Sequence, residues 1–190
     1  MLKHWLSALF GARSEQSGAE SLDAAFPPEV LVIPHDDHHG RFVGKLPNGE
    51  GVFITTPFTC GSKPQDSREF LALYRFSSAG DLLEARIESL GSRADLVGAR
   101  NAAALPGNVA ADNPTVQSRI EVWLRQLPGL VLGDIVAKPF RVHQHGLDFG
   151  LIPDSQEDCE ADEAFDPVYV TLLPGNYMAF MAPWDGSYDT

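Results

Sequence analysis

Lysine and arginine are absent after Arg141, while residues 142–190 carry ten carboxylates. The whole chain has 14 basic and 26 acidic side chains and a formal net charge of -12, so most of the imbalance sits in this last quarter. The shortage of positive charge excludes nucleic acid as a partner, because phosphate contacts are made largely by lysine and arginine. Cysteine is scarce too. Cys60 and Cys159 stand far apart, which excludes Cys-x-x-Cys metal and redox spacings. They read as two thiols of a reducing cytoplasm, with a disulfide between them left open. No apolar run reaches the ~20 residues that a transmembrane helix needs, so no integral membrane segment is expected. Gly-x-Ser-x-Gly, His-Glu-x-x-His and phosphate-cradling glycine loops are all missing, so no catalytic residue and no cofactor are assigned.

What is present builds a core. The chain has 190 residues, is 44% hydrophobic and contains 11 phenylalanines, enough for one domain without a stabilising staple. Near the N-terminus Leu2, Trp5, Leu6 and Leu9 recur at helical spacing, which predicts a short amphipathic helix. A polar linker ending in Pro27-Pro28 follows. The expected organisation is therefore residues 1–28 as helix and linker and 29–190 as one domain.

Within that domain strand signals dominate. Residues 41–46 and 51–56 flank Pro47-Asn48-Gly49, a strong hairpin signal. Residues 70–76 and 82–87 flank Ser78-Ala79-Gly80-Asp81. In the first of these strands Leu71 and Leu73 alternate with Phe70, Ala72, Tyr74 and Phe76, so both faces carry bulk and the strand is expected in the middle of a sheet covered on both sides. Residues 89–112 read as an irregular connection. Asn113 is a good N-cap, Pro114 suits the first helical position, and Val116, Ile120, Trp123, Leu124 and Leu127 form an apolar stripe. More extended segments follow, ending in a hairpin around Pro174-Gly175-Asn176. The pattern predicts an α+β fold: a mainly antiparallel sheet of hairpins, with one long covering helix over about 114–127 and the short N-terminal amphipathic helix.

Three groups of residues could bind something. The first is His35-Asp36-Asp37-His38-His39, with His143 and His145 as a second imidazole pair. His35, His38, His39, His143 and His145 are candidate metal ligands by residue type. Adjacent ligands on one loop do not easily converge on a single ion, so the plain expectation is a polar loop and a surface pair. The second is the acidic stretch 154–166, with seven carboxylates in 13 residues. It lacks the central glycine of a calcium loop and reads either as a solvated run or as a lure for a basic protein surface. The third is the C-terminal Trp184 and Tyr188, which suit an interface anchor or a clasp pinning the terminus to its own domain.

Four strings carry a resemblance: Gly-Arg-Phe-Val-Gly at 40–44, Leu-Tyr-Arg-Phe at 73–76, Phe-Gly-Leu-Ile at 149–152 and Ala-Pro-Trp-Asp-Gly-Ser-Tyr-Asp-Thr at 182–190. Together they resemble a group of uncharacterised bacterial proteins, some of which carry the label formate hydrogenlyase regulatory protein. The resemblance covers about three-quarters of the chain and leaves out the N-terminal 39 residues. It implies a bacterial, cytoplasmic protein without a catalytic set to carry over.

The leading expectation is a non-enzymatic acidic domain that binds a basic protein partner, in the manner of the immunity proteins that neutralise bacterial toxins. Glu157, Asp158, Glu160, Asp162 and Glu163 would steer the encounter, and Trp184 or Tyr188 would anchor it. One alternative is a metal-dependent enzyme built on the two histidine groups. Another is a regulatory module that joins a larger complex through the N-terminal helix. The sequence leaves the oligomeric state open.

Overall fold

The Asn-Gly hairpin forms as its sequence demands. Strands β2 (Phe42–Lys45) and β3 (Gly51–Thr55) pair antiparallel, with Phe42 opposite Ile54 and Lys45 opposite Gly51. The Gly49 amide donates to the Leu46 carbonyl at 2.9 Å, and Gly49 sits at φ 86°, where a side chain would be strained. A short β4 (Phe58–Thr59) follows Pro57. It lies against the start of β5 (Arg68–Phe76), and β3 lies against the rest of that strand. Proline has no amide to give a ladder, so β3 and β4 behave as one strand interrupted at Pro57. The Pro57 carbonyl still accepts from the Phe70 amide at 2.9 Å.

The computed structural model describes residues 27–63, 65–98, 109–154, 168–175 and 178–190. The expected N-terminal helix, Cys159 and the acidic residues Glu157, Asp158, Glu160, Asp162 and Glu163 lie outside the described residues. The remaining elements are β1 (Leu31–Ile33), β6 (Leu82–Ser92), α1 (Arg93–Val97), α2 (Pro114–Arg125), β7 (Val131–Leu132), β8 (Ile135–Ala137), β9 (Val142–Gln144), β10 (Leu147–Asp154), β11 (Tyr169–Leu173), β12 (Ala179–Phe180) and β13 (Tyr188–Asp189). All the described pairings are antiparallel. Strands β7, β2, β3 with β4, β5 and β6 form a six-stranded sheet, β9 to β13 form a five-stranded sheet in chain order, and β1 pairs with β8.

Strand β5 runs through the middle. Phe70, Ala72, Tyr74 and Phe76 pack with Phe149, Leu151, Val170, Leu172 and Phe180 of the five-stranded sheet. Leu71 and Leu73, on the opposite face, pack with Val116, Ile120 and Trp123 of α2. The two-residue alternation of a strand produces both contacts at once. The described residues thus form two larger antiparallel sheets face to face, with the β1–β8 pair joined to the same core and a helix on the outer face of one sheet.

This overturns the α+β expectation with its long covering helix. The architecture is close to all-β, with 42% strand and 12% helix among the described residues. The helix α2 has 12 residues, about three turns, and Leu127 of the expected stripe lies beyond its end. The apolar bulk of the central strand is buried chiefly by the second sheet, which residues 142–189 build for themselves. A second correction concerns residues 89–112. Strand β6 continues to Ser92, and α1 follows at once behind a capping box. The Ser92 hydroxyl accepts from the Asp95 amide at 3.2 Å, and the Asp95 carboxylate accepts from the Ser92 amide at 2.8 Å.

Candidate functional site

The five-residue histidine loop is a built object. Asp36 is its hub. Its carboxylate accepts from the amides of His38 at 2.7 Å and Gly40 at 2.9 Å, an arrangement that aspartate favours because its short side chain reaches its own downstream backbone. The same carboxylate accepts from the Tyr188 hydroxyl on the C-terminal strand β13. The His35 amide donates to Asp134 at 2.8 Å, and the His35 ring Nδ1 lies 3.1 Å from the Gly40 carbonyl. A Cβ at Gly40 would meet the Pro34 carbonyl oxygen at 2.2 Å, so glycine is required for that close approach. Burial pushes the Asp36 carboxyl up. The hydrogen bonds from Tyr188, Gly40 and His38, with the His38 charge, outweigh it and hold the group below its ordinary value. Burial also pushes the His39 imidazole below its ordinary value against the pull of the Asp36 charge, with His38 adding to the depression. The His39 ring meets that of Tyr188 edge-on, 6.1 Å between centroids.

The loop forms one wall of a cleft of about 320 Å³. Asp37, His38, His39, Arg41 and Phe42 line that side, and Ala111, Asp112 and Gln117 line the other, at the start of α2. Ile54, Thr55, Thr56 and Ile120 close the cleft from below. At the mouth Arg41 reaches Asp112 across the gap, 3.7 Å between Nη1 and Oδ1. The guanidinium also lies 5.6 Å from the centroid of the Phe42 ring.

Beside this cleft a buried ion pair fixes the 109–112 wall. Glu69 on β5 is fully buried, and Arg93 at the start of α1 donates to its Oε1 at 3.4 Å. Burial pushes the Glu69 carboxyl up, against the Arg93 charge and against hydrogen bonds from Arg93 and the amides of Val109 and Ala110. The carboxylate thus ties the residues before α2 to the sheet.

The second histidine pair is elsewhere. His143 on β9 faces Asp148 of β10 as its cross-strand neighbour, with Nδ1 2.8 Å from Oδ1. Arg141 reaches the other Asp148 oxygen at 3.3 Å. His145 takes φ 54° in the turn between those strands. It lies over the Phe70 ring, with its Nε2 3.2 Å from the Ile87 carbonyl. Strand β9 is one edge of the five-stranded sheet and β13, which clips the Asp36 loop, is the other. The two histidine groups therefore sit at opposite edges, and no group of three or more metal-type side chains gathers among the described residues. Trp184 and Tyr188 both pack against the core between the sheets, partly buried. Cys60 is exposed on a loop.

Comparison with family models, with curated protein sequences and with solved structures returns no match to this chain. The chemistry of the site has to be read from its own geometry. Sequence reasoning found the histidine loop but read its imidazoles as the point of interest, whereas Asp36 organises it. The Asp-x-His-x-Gly spacing carried that signal. It missed Arg41, Asp112 and the floor at Thr55 and Thr56, and no local pattern marks these residues, because the cleft joins segments some 70 positions apart.

Proposed function

We propose that this chain is a non-catalytic binding module that presents a concentrated acidic segment to a basic protein surface. What supports the reading is the closing pair of the β10–β11 hairpin, Asp154 opposite Tyr169. Both ends of the segment between them are held on adjacent strands of a packed sheet. Six of the carboxylates of 154–166 lie in sequence between these two anchored positions. Charge gathered at one place on a chain of net charge -12 attracts a positive partner and speeds its encounter. Glu157, Asp158, Glu160, Asp162 and Glu163 carry the attraction. Trp184 and Tyr188 contribute only the part of their surface that the core leaves over. A toxin-neutralising protein and a regulatory subunit both fit this description, and the partner's identity separates them. The metal-enzyme reading loses its support because its two histidine groups are on opposite sheet edges. Among the described residues no helix is long and apolar enough to cross a membrane.

The test is capture from source-cell lysate with tagged wild-type protein and with a variant carrying Gln or Asn at those five acids. A single basic protein held by the wild type at low salt, released as salt rises and not held by the variant, is the expected result. Equal capture by both proteins would refute the reading.

A further inference from the structure

We propose that the cleft between the Asp36 loop and the start of α2 binds a small zwitterion, a free α-amino acid with an apolar side chain. This is independent of the acidic-segment reading. Three observations lead to it. The first is that the walls are held before any ligand arrives. Asp36 is fixed by His38, Gly40 and Tyr188 on one side, and Asn113 caps α2 on the other through the amides of Thr115 and Val116. A cavity with fixed walls loses little entropy on binding, and about 320 Å³ is at the small end of ligand sites.

The second observation is the ion pair across the mouth. Arg41 and Asp112 have side chains 44% and 92% exposed and stand 3.7 Å apart. A pair so exposed contributes little to stability, so it opens at little cost. An entering carboxylate takes the Arg41 guanidinium, whose fork suits it. The released Asp112 carboxylate then accepts the ammonium of the same molecule. One ion pair becomes two, and the net charge of the cleft does not change.

The third observation selects among ligands. The chain carries -12, so its field opposes a free anion, and Arg41 already has a carboxylate partner to be displaced. A cationic amine would gain Asp112 but leave the guanidinium with nothing new. Only a ligand with both charges close together replaces both halves of the pair. Phe42, Ile54 and Ile120 line the same cleft; the partly exposed Phe42 ring provides apolar surface for its side chain, and the buried Ile54 and Ile120 back it.

The experiment is a titration of full-length protein, followed by amide NMR and calorimetry, with L-leucine and L-phenylalanine. Two half-ligands, 4-methylpentanoate and leucinamide, serve as comparators. At least one amino acid should saturate, moving resonances of residues 37–42 and 111–117, and each half-ligand should bind about tenfold more weakly or worse, the loss of one charge-assisted contact. Arg41→Gln and Asp112→Asn should each weaken binding similarly. Asp112 is so exposed that Asp112→Asn provides a folded variant even if the change at Arg41 perturbs the loop. The five-acid variant should bind as the wild type does, which keeps this result apart from the partner experiment. Absence of a saturable shift at millimolar amino acid, equal binding of 4-methylpentanoate, or full affinity in Asp112→Asn would each overturn the proposal.

Discussion

Tyr188 shows how one hydroxyl couples the end of the chain to its start. It donates to Asp36, 152 residues away in sequence. A hydrogen bond to a charged group contributes about 1.5–3 kcal/mol when shielded from water. Both groups here are only partly buried, so Tyr188→Phe should cost about 1–2 kcal/mol in denaturant melts at pH 7. The pH dependence has a definite sign. The folded Asp36 carboxyl lies below its ordinary value of 3.8, so its contribution is fully present above that value and disappears as pH falls through the lower, folded one. The gap between wild type and Tyr188→Phe should therefore narrow as pH falls below 3.8 and through the lowered folded value. A gap unchanged by acid would mean that the tyrosine ring, not its hydroxyl, does the holding. Glu69 has the opposite sign. Its carboxyl is pushed above 4.5, so the stability tied to its proton is present below that value and is lost as pH rises through the raised one. Arg93 limits that loss. Arg93→Met should cost ~3–5 kcal/mol at neutral pH, because it strands a buried carboxylate, whereas Glu69→Leu with Arg93→Met should be close to neutral. A double variant as unstable as the single one would show that Arg93 acts through other contacts.

At the scale of elements, the same strip of β5 explains what the sequence could and could not reveal. The alternation of Leu71 and Leu73 with Phe70, Ala72, Tyr74 and Phe76 declares a strand buried on both faces, and the structure buries both. It does not declare what does the burying. The α2 stripe looked sufficient for one face and invited a single sheet under one long helix, because a helix announces itself locally through Asn113 and Pro114. The competing second sheet is assembled from five strands that pair with their neighbours in the chain, one of them as brief as Ala179–Phe180, but its packing against β5 is a contact that no window along the chain contains. The helix still matters where it packs. Trp123 is 2% exposed, and the Arg86 guanidinium lies 4.3 Å from its ring centroid. Trp123→Ala should cost ~3–5 kcal/mol through the cavity left beneath α2, read from the denaturant midpoint, and a loss below ~1 kcal/mol would remove the helix from the core.

At the scale of the whole molecule, charge and architecture pull in different directions. Two sheets packed through a phenylalanine-rich core stabilise the compact form, while a net charge of -12 favours its expansion through self-repulsion. The histidine groups were visible in the sequence but their separation was not, since only the strand order puts β9 and β13 at opposite edges. The acidic concentration was visible outright, because it is a matter of composition, and its consequence is measurable without any partner. Exposed charges are screened beyond about 8 Å at physiological ionic strength and beyond about 30 Å at 0.01 M. Raising salt between those limits should therefore raise the melting temperature of the wild type. Neutralising Glu157, Asp158, Glu160, Asp162 and Glu163 removes five of the negative charges from one segment, so the variant should melt higher than the wild type at low salt and gain less from added salt. If both proteins gained equally, the segment's charges would be too far from the rest to strain the fold.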